Sequence, residues 1–377
     1  MLLENALNSA AKRLAKRAGK KLSREAAATE AHYGVCVLLI YTQIVLHSAL
    51  VGLPTAGPAQ WWLMLLQFIP ASGLFLLIRL VFRLYPGQTL AGAFQKSFGK
   101  VGSGLAMGLY GLLLLADAWF NLYALVDVVA AYVINRPQYV SIGLAVVVTA
   151  LASVLAGGVD GTERMVFLFM KPLAALLVLA AFAAFQKGNI ANLYPYMGAG
   201  REMVFRSFLS GCGASWPVVL MGFKVKPQGE DASSGFKWLA AAIVAIALPV
   251  LCYCYVQPYG VLMAPEALSA RLVGFLRASP SKVIWELFLI HAMVLFLCAI
   301  CAGLAVFSSI AAKGLKKKAR RGFFTLGFGV VLAGLSAWHA DSLLEVFKLI
   351  MPWRYLAAVL PLLATCVIGF IKKKVRV

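Results

Sequence analysis

From Tyr33 onward the chain is a succession of apolar runs, each close to the ~20 residues an α-helix needs to cross the hydrocarbon of a bilayer. Hydrophobic residues make up 62% and charged residues 13% of the 377 positions, with a mean hydropathy of +0.85. A soluble domain carries about 25% charged residues, so the chain reads as a polytopic membrane protein. In lipid every backbone N–H and C=O must be bonded within its own segment, and for runs of this length that means α-helix. Ten spans are expected, near 33–54, 60–82, 103–134, 138–157, 163–186, 203–223, 237–260, 282–311, 322–340 and 349–371.

Two of these runs are interrupted. Ser207–Gly222, SFLSGCGASWPVVLMG, is broken in its middle by Gly211, Gly213 and Pro217, and Ser48–Pro54, SALVGLP, interrupts the first span. An interior glycine costs a helix ~1 kcal/mol and an interior proline ~3 or more. Backbone freed in this way survives in a membrane only inside protein or beside a wet cavity. Two readings are open. Transporters place such breaks at the midplane, where half-helix ends bind the substrate; small residues also line ordinary helix contacts. The first makes His47, Ser48, Ala49, Gly52, Gly211, Cys212, Gly213, Ser215 and Trp216 candidate substrate-binding residues. It also predicts non-helical backbone within Ser48–Gly52 and Ser210–Ser215, facing each other.

The formal net charge of +21 would raise nucleic-acid binding in a soluble protein, but its placement excludes that partner here. Seven Lys/Arg lie between Lys12 and Arg24, six between Lys313 and Arg321, and four between Lys372 and Arg376. With both termini cytoplasmic, inner segments carry 25 cations and outer ones nine, the latter including Lys348 and Arg354. That asymmetry obeys the positive-inside rule, with anionic lipid headgroups as natural partners. Residues 1–30 read as a basic cytoplasmic arm without a cleavable signal, and 31–377 as the transmembrane domain. The seven cysteines fall inside apolar segments; Cys298-x-x-Cys301 lacks the context of a redox motif and reads as packing.

Arg83–Lys100, RLYPGQTLAGAFQKSFGK, resembles the cytoplasmic loop after the second span in the B-subunit permeases of bacterial spore-germination receptors. The resemblance continues into Leu109–Leu115, LYGLLLL, and returns at Ile190–Gly200, IANLYPYMGAG, just before span six. That family is similar to the amino acid–polyamine–organocation superfamily. The resemblance implies an all-α fold of two inverted five-helix repeats, the LeuT-type fold, with spans one and six broken. It further implies a small-nutrient site between spans one, three, six and eight, and two partners: a larger membrane subunit and a lipoprotein. The chain departs from the family where many members carry F-P-F-G-E in span six. Ala214-Ser215-Trp216-Pro217 stands there, and no acid follows.

Asp117 lies near the centre of span three, where a charge costs at least ~2.5–3.5 kcal/mol. Asn121 one turn on and Tyr110 two turns back share its face. Asp117 either lines a substrate route or, protonated, ties two helices together. His47 either binds substrate or a proton beside the first break, or donates to a carbonyl freed there. Lys171, followed by Pro172, lies ~12 Å beyond Glu163 along span five. It either snorkels to the inner headgroups or finds a partner. In sodium-independent superfamily members a similar lysine takes the place of a sodium ion between spans one and eight. The resemblance therefore implies that Lys171 reaches span one, with Ser308 and Ser309 of span eight, as a built-in cation.

No Ser-His-Asp arrangement, phosphate loop or metal-ligand cluster stands out, so neither an enzyme, a metal site nor a cofactor is expected. The expected function, by resemblance, is the nutrient-binding or permease subunit of a germination receptor, the nutrient an amino acid. The alternatives are a stand-alone, proton-coupled, sodium-independent amino-acid transporter and a membrane enzyme or flippase acting on a lipid-linked substrate.

Overall fold

The structure, a computed structural model, describes residues 32–129, 188–224, 230–263, 293–304, 306–307 and 340–374, with isolated positions between 172 and 179. All regular structure among the described residues is helical. Helix α1 covers 32–56 and α2 covers 60–84, folded back on each other through Gly57–Ala59. Gly57 takes φ +57°, a left-handed value that suits glycine, so the hairpin closes in three residues. Helix α3, Leu90–Val129, bends at Gly99, where φ is 75°, and its residues 100–129 make the third crossing. Then follow α4 (Arg201–Phe223), α5 (Glu230–Val256), α6 (Met293–Leu304) and α7 (Ala340–Lys374). These correspond to expected spans one, two, three, six, seven, eight and ten. Spans four, five and nine, and the arm at 1–30, lie outside the described residues.

Among the described residues five stretches are long and apolar enough to cross a membrane: His32–Leu84, Leu90–Val129, Arg201–Phe223, Gly235–Val256 and Glu345–Lys374. The first is the α1–α2 hairpin. Burial follows helical period. Along α7, Phe347, Met351, Arg354, Ala358, Leu362 and Thr365 face inward, while Leu356, Leu360, Leu363, Val367 and Phe370 stay exposed as a lipid-facing side does. All seven cysteines are buried, consistent with packing.

The interruptions sit where Gly and Pro predicted, but their form differs. The expected non-helical backbone is absent at both. Ser48–Gly52 is a single π turn, flanked by right-handed helical dihedrals at His47 (φ −59°, ψ −47°) and Leu53 (φ −62°, ψ −47°). Its cause is Pro54, whose ring clashes with the carbonyl four residues back in an α-helix. Widening by one residue lets the Leu53 N–H bond to Ser48 O instead, and the chain passes the proline without unwinding. In α4, Arg201–Cys212 is α-helical, Gly213–Leu220 is 3-10, and Met221–Lys224 is α-helical again. Pro217 removes a donor there, and the tighter winding re-pairs the rest, the Met221 N–H reaching Val218 O. Both breaks are changes of helical pitch.

Arg354 is a second correction. The count of outer cations includes it because the apolar run of span ten starts near 349. The helix begins at Ala340, so Arg354 lies well inside it and is 0% exposed.

Candidate binding site

Four helices meet at one charged cluster. Asp117 of α3, 0% exposed, forms an ion pair through Oδ1 with Arg354 Nη2 of α7. Its other oxygen, Oδ2, accepts a 2.9 Å hydrogen bond from Trp216 Nε1 in the 3-10 segment of α4. Arg354 Nη1 donates to Gln43 Oε1 of α1 at 2.9 Å and approaches Met351 Sδ at 3.1 Å. The guanidinium carbon lies 5.9 Å from the ring centroids of both Phe120 and Trp216, within cation–π range. Tyr110 stacks on Trp216 and donates from its hydroxyl to Ala358 O of α7 at 2.9 Å. Among the described residues the cluster carries one negative and one positive charge, which balance. This explains how both groups are held in a region where either alone is costly.

Asn121 lies one turn further along α3 and is also 0% exposed. Its Nδ2 bonds to the Asp117 carbonyl at 2.7 Å, while Oδ1 has no hydrogen-bond partner among the described residues. Gln43 Nε2, Ser215 Oγ and Arg354 Nε are likewise buried and unpaired there. Buried polar atoms with no partner are uncommon and call for an explanation.

One turn along α1 from Gln43, a second group of polar side chains joins α1 and α2 to α4. His47 Nε2 lies 2.7 Å from Ser210 Oγ, and the Ser210 hydroxyl donates to Ser207 O at 3.0 Å. With that proton committed, His47 must be the donor, the neutral Nε2–H tautomer, leaving Nδ1 an acceptor without a partner among the described residues. Ser207 Oγ donates to Gln60 Oε1 at 2.9 Å, Gln60 Nε2 to Ser48 Oγ at 3.3 Å, and Ser48 Oγ to Met64 Sδ at 2.8 Å. Gln67 Nε2 donates to Phe208 O at 3.3 Å. Gly52 and Gly211 make room for these amides, since a Cβ at either would run into the Gln60 or Gln67 carboxamide.

The structure therefore gathers the expected residues into two adjoining groups. Asp117 and Trp216 contact Arg354, Asn121 bonds to Asp117 and Ser215 precedes Trp216 in the same 3-10 segment, whereas His47, Ser48, Gly52 and Gly211 belong to the uncharged ladder. Cys212 spends its thiol on Phe208 O within its own helix, at 3.3 Å, and Ala49 offers no polar group. Gly213 acts by close approach: a Cβ there would collide with Met351 O of α7. Lys171, Ser308 and Ser309 lie outside the described residues. Sequence reasoning missed Gln43, Gln60, Gln67, Ser207, Ser210 and Arg354. A signal existed for several of them. Gln43 stands four residues before His47, Gln60 and Gln67 are seven apart, and Arg354 falls on the inward stripe of α7.

Several solved transporters share this fold. A manganese transporter from Eremococcus coleocola superposes with a TM-score of 0.61 at 12% identity, covering 89% of this chain and 78% of its own. A Na+-coupled sialic acid symporter gives 0.60 at 11% identity, covering 91% and 90%. A nucleobase-cation-symport-1 family transporter, in a closed conformation, gives 0.58 at 14% identity, covering 85% and 74%. At these identities the likeness establishes the fold, the LeuT-type all-α transporter fold. No curated protein matches by sequence. The family model described as spore germination protein, a spore permease, matches residues 35–311. The chain, folded as a transporter and matched over most of its length, belongs to the spore germination permease family.

Proposed function

We propose that this membrane permease is the nutrient-binding subunit of a spore-germination receptor, and that its nutrient is an amino acid. The observation that carries the reading is the convergence of α1, α3, α4 and α7 on one buried polar centre, at the level where α4 changes pitch. Asp117 and Trp216, with Asn121 and Ser215 beside them, supply the polar groups, and the His47 ladder closes the neighbouring level. Lys171 with Ser308 and Ser309 is the proposed built-in cation site, so the response requires no sodium. The assembly has both termini in the cytoplasm, lies in the bacterial cytoplasmic or spore inner membrane beside anionic lipid, and includes a larger membrane subunit and a lipoprotein.

Two measurements test this. Spores lacking the chain should lose germination on at least one amino acid and regain it on complementation, and pull-down of the tagged chain from spore membranes should bring the two partner subunits. A second reading is autonomous proton-coupled uptake, for which a transporter fold without partners suffices. Sodium-independent accumulation of an amino acid by proteoliposomes containing this chain alone would establish that reading and remove the need for partners.

A further inference from the structure

The sequence reads Arg354 only as one of the outer cations, yet the centre is built around it. We propose that Arg354 and Asp117 are the two halves of a receptor for a zwitterion. In the closed bundle each neutralises the other, and a ligand bearing both a carboxylate and an ammonium group takes their places. The ligand carboxylate then sits on the Arg354 guanidinium and its ammonium on the Asp117 carboxylate. The proposal rests on the nutrient reading above; it adds the charge pattern of the ligand and the residue that reads it.

Three features support the exchange. The first is electrostatic. A buried ion pair is a poor brace, because well-packed apolar residues in its place are often as stable or more so. Exchange with a zwitterion is neutral at every stage, so no uncompensated charge is left in a low-dielectric interior. A ligand with one charge breaks that balance.

The second is the set of spare hydrogen-bonding groups. Arg354 Nε, Gln43 Nε2 and the Ser215 hydroxyl are buried donors without partners among the described residues, and Asn121 Oδ1 is such an acceptor. A carboxylate offers about four lone-pair sites and takes arginine in a two-pronged fashion, and an ammonium brings three donors. The spare groups thus match what a zwitterion has left after the two ion pairs form.

The third is mechanical. Arg354 lies between Pro352 and Pro361, both inside α7. Each proline lacks the N–H that would bond to the carbonyl four residues back, those of Lys348 and Ala357, so the helix is weakened on both sides of the arginine. Met351 O rests on Gly213, where α4 changes from α to 3-10 winding. Drawing Arg354 away from Asp117 bends α7 and moves its contact with that pitch change. Arg354 is a specificity residue and a latch in one.

The test uses the full chain in lipid nanodiscs and equilibrium dialysis against each common L-amino acid. The tightest binder is then compared with its α-amide, which lacks the carboxylate, and with its deaminated acid, which lacks the ammonium. Both analogues should bind at least ~tenfold more weakly, the loss expected for one charged hydrogen-bonding group. The double variant Asp117→Asn/Arg354→Gln, checked as monodisperse, should lose binding of the amino acid by at least ~tenfold too. Should that variant not fold, the analogue comparison decides alone. An analogue that binds within about threefold of the parent amino acid overturns the zwitterion proposal and leaves the nutrient reading standing. So does a folded double variant that binds as the parent does. If the parent binds no amino acid, the nutrient reading itself falls and takes this proposal with it.

Discussion

The centre of the molecule holds two polar regions, one turn of α1 apart, that obey different physics. Around Arg354 the contacts are ionic: a carboxylate, a guanidinium, an indole N–H and a carboxamide from four helices, with no net charge among the described residues. Around His47 they are neutral, a ladder of serine, glutamine and histidine side chains between the α1–α2 hairpin and α4. The first is all-or-none, because removing either ion strands the other. The second is graded, since each hydrogen bond is replaceable by a small rearrangement. A bundle that must open therefore has a switch at one level and a compliant seam at the next.

The largest expected effect breaks that contrast at its ionic end. Asp117→Ala or Arg354→Ala alone should cost about 3–5 kcal/mol, the penalty of an unpaired buried charge. The double replacement Asp117→Leu/Arg354→Met should recover most of it. Thermal unfolding of the detergent-solubilised protein reads all three. Equal losses for singles and double would mean that the pair braces the fold by itself and is no switch.

How far this centre was legible in the sequence depends on the residue. Asp117 was, because one acid in an apolar run cannot be ignored. Arg354 was not, because a cation five residues into an apolar run counts toward a loop unless the helix is known to start earlier. Only the inward stripe through Met351 and Ala358 shows otherwise, and it needs the helix first. The positions of both interruptions were legible from Pro54, Gly213 and Pro217. Their form was not. A proline dictates which donor is lost, but widening or tightening is chosen by what packs against the turn. The Gln60 amide fills the space beside Gly52, and Met351 O lies against Gly213. The transporter fold itself was legible through the family resemblance more than through periodicity, which gives spans but not their arrangement.

The next effect probes the joint between the two regions. Gly213 has no room for a Cβ, because the obstacle is backbone rather than a flexible side chain. Gly213→Ala should cost about 1–3 kcal/mol, the range for overpacking. At Gly211 the obstacles are the ends of Gln67 and His47, which can move. Gly211→Ala should cost less, with thermal midpoints ordered parent, Gly211→Ala, Gly213→Ala. The reverse order would place the rigid contact in the ladder and not under α7.

The smallest effect lies in the ladder. His47 and Ser210 meet at 2.7 Å, but both are neutral, and each has a fallback: Ser210 keeps Ser207 O, and His47 keeps the unused Nδ1. In membrane proteins such a pair couples by about 0.6 kcal/mol on average, since partly unfolded helices in lipid find other partners. A double-mutant cycle of His47→Ala, Ser210→Ala and the pair should return a coupling of that size by thermal or denaturant unfolding. The same cycle on Asp117 and Arg354 should return several times more, because there each single variant leaves a charge behind. The contrast is the measurement. If the two cycles agree within about 1 kcal/mol, charge is not what separates the regions. The ladder would then be as much a latch as the ion pair, and release of α4 from the α1–α2 hairpin would be as costly as release of α7.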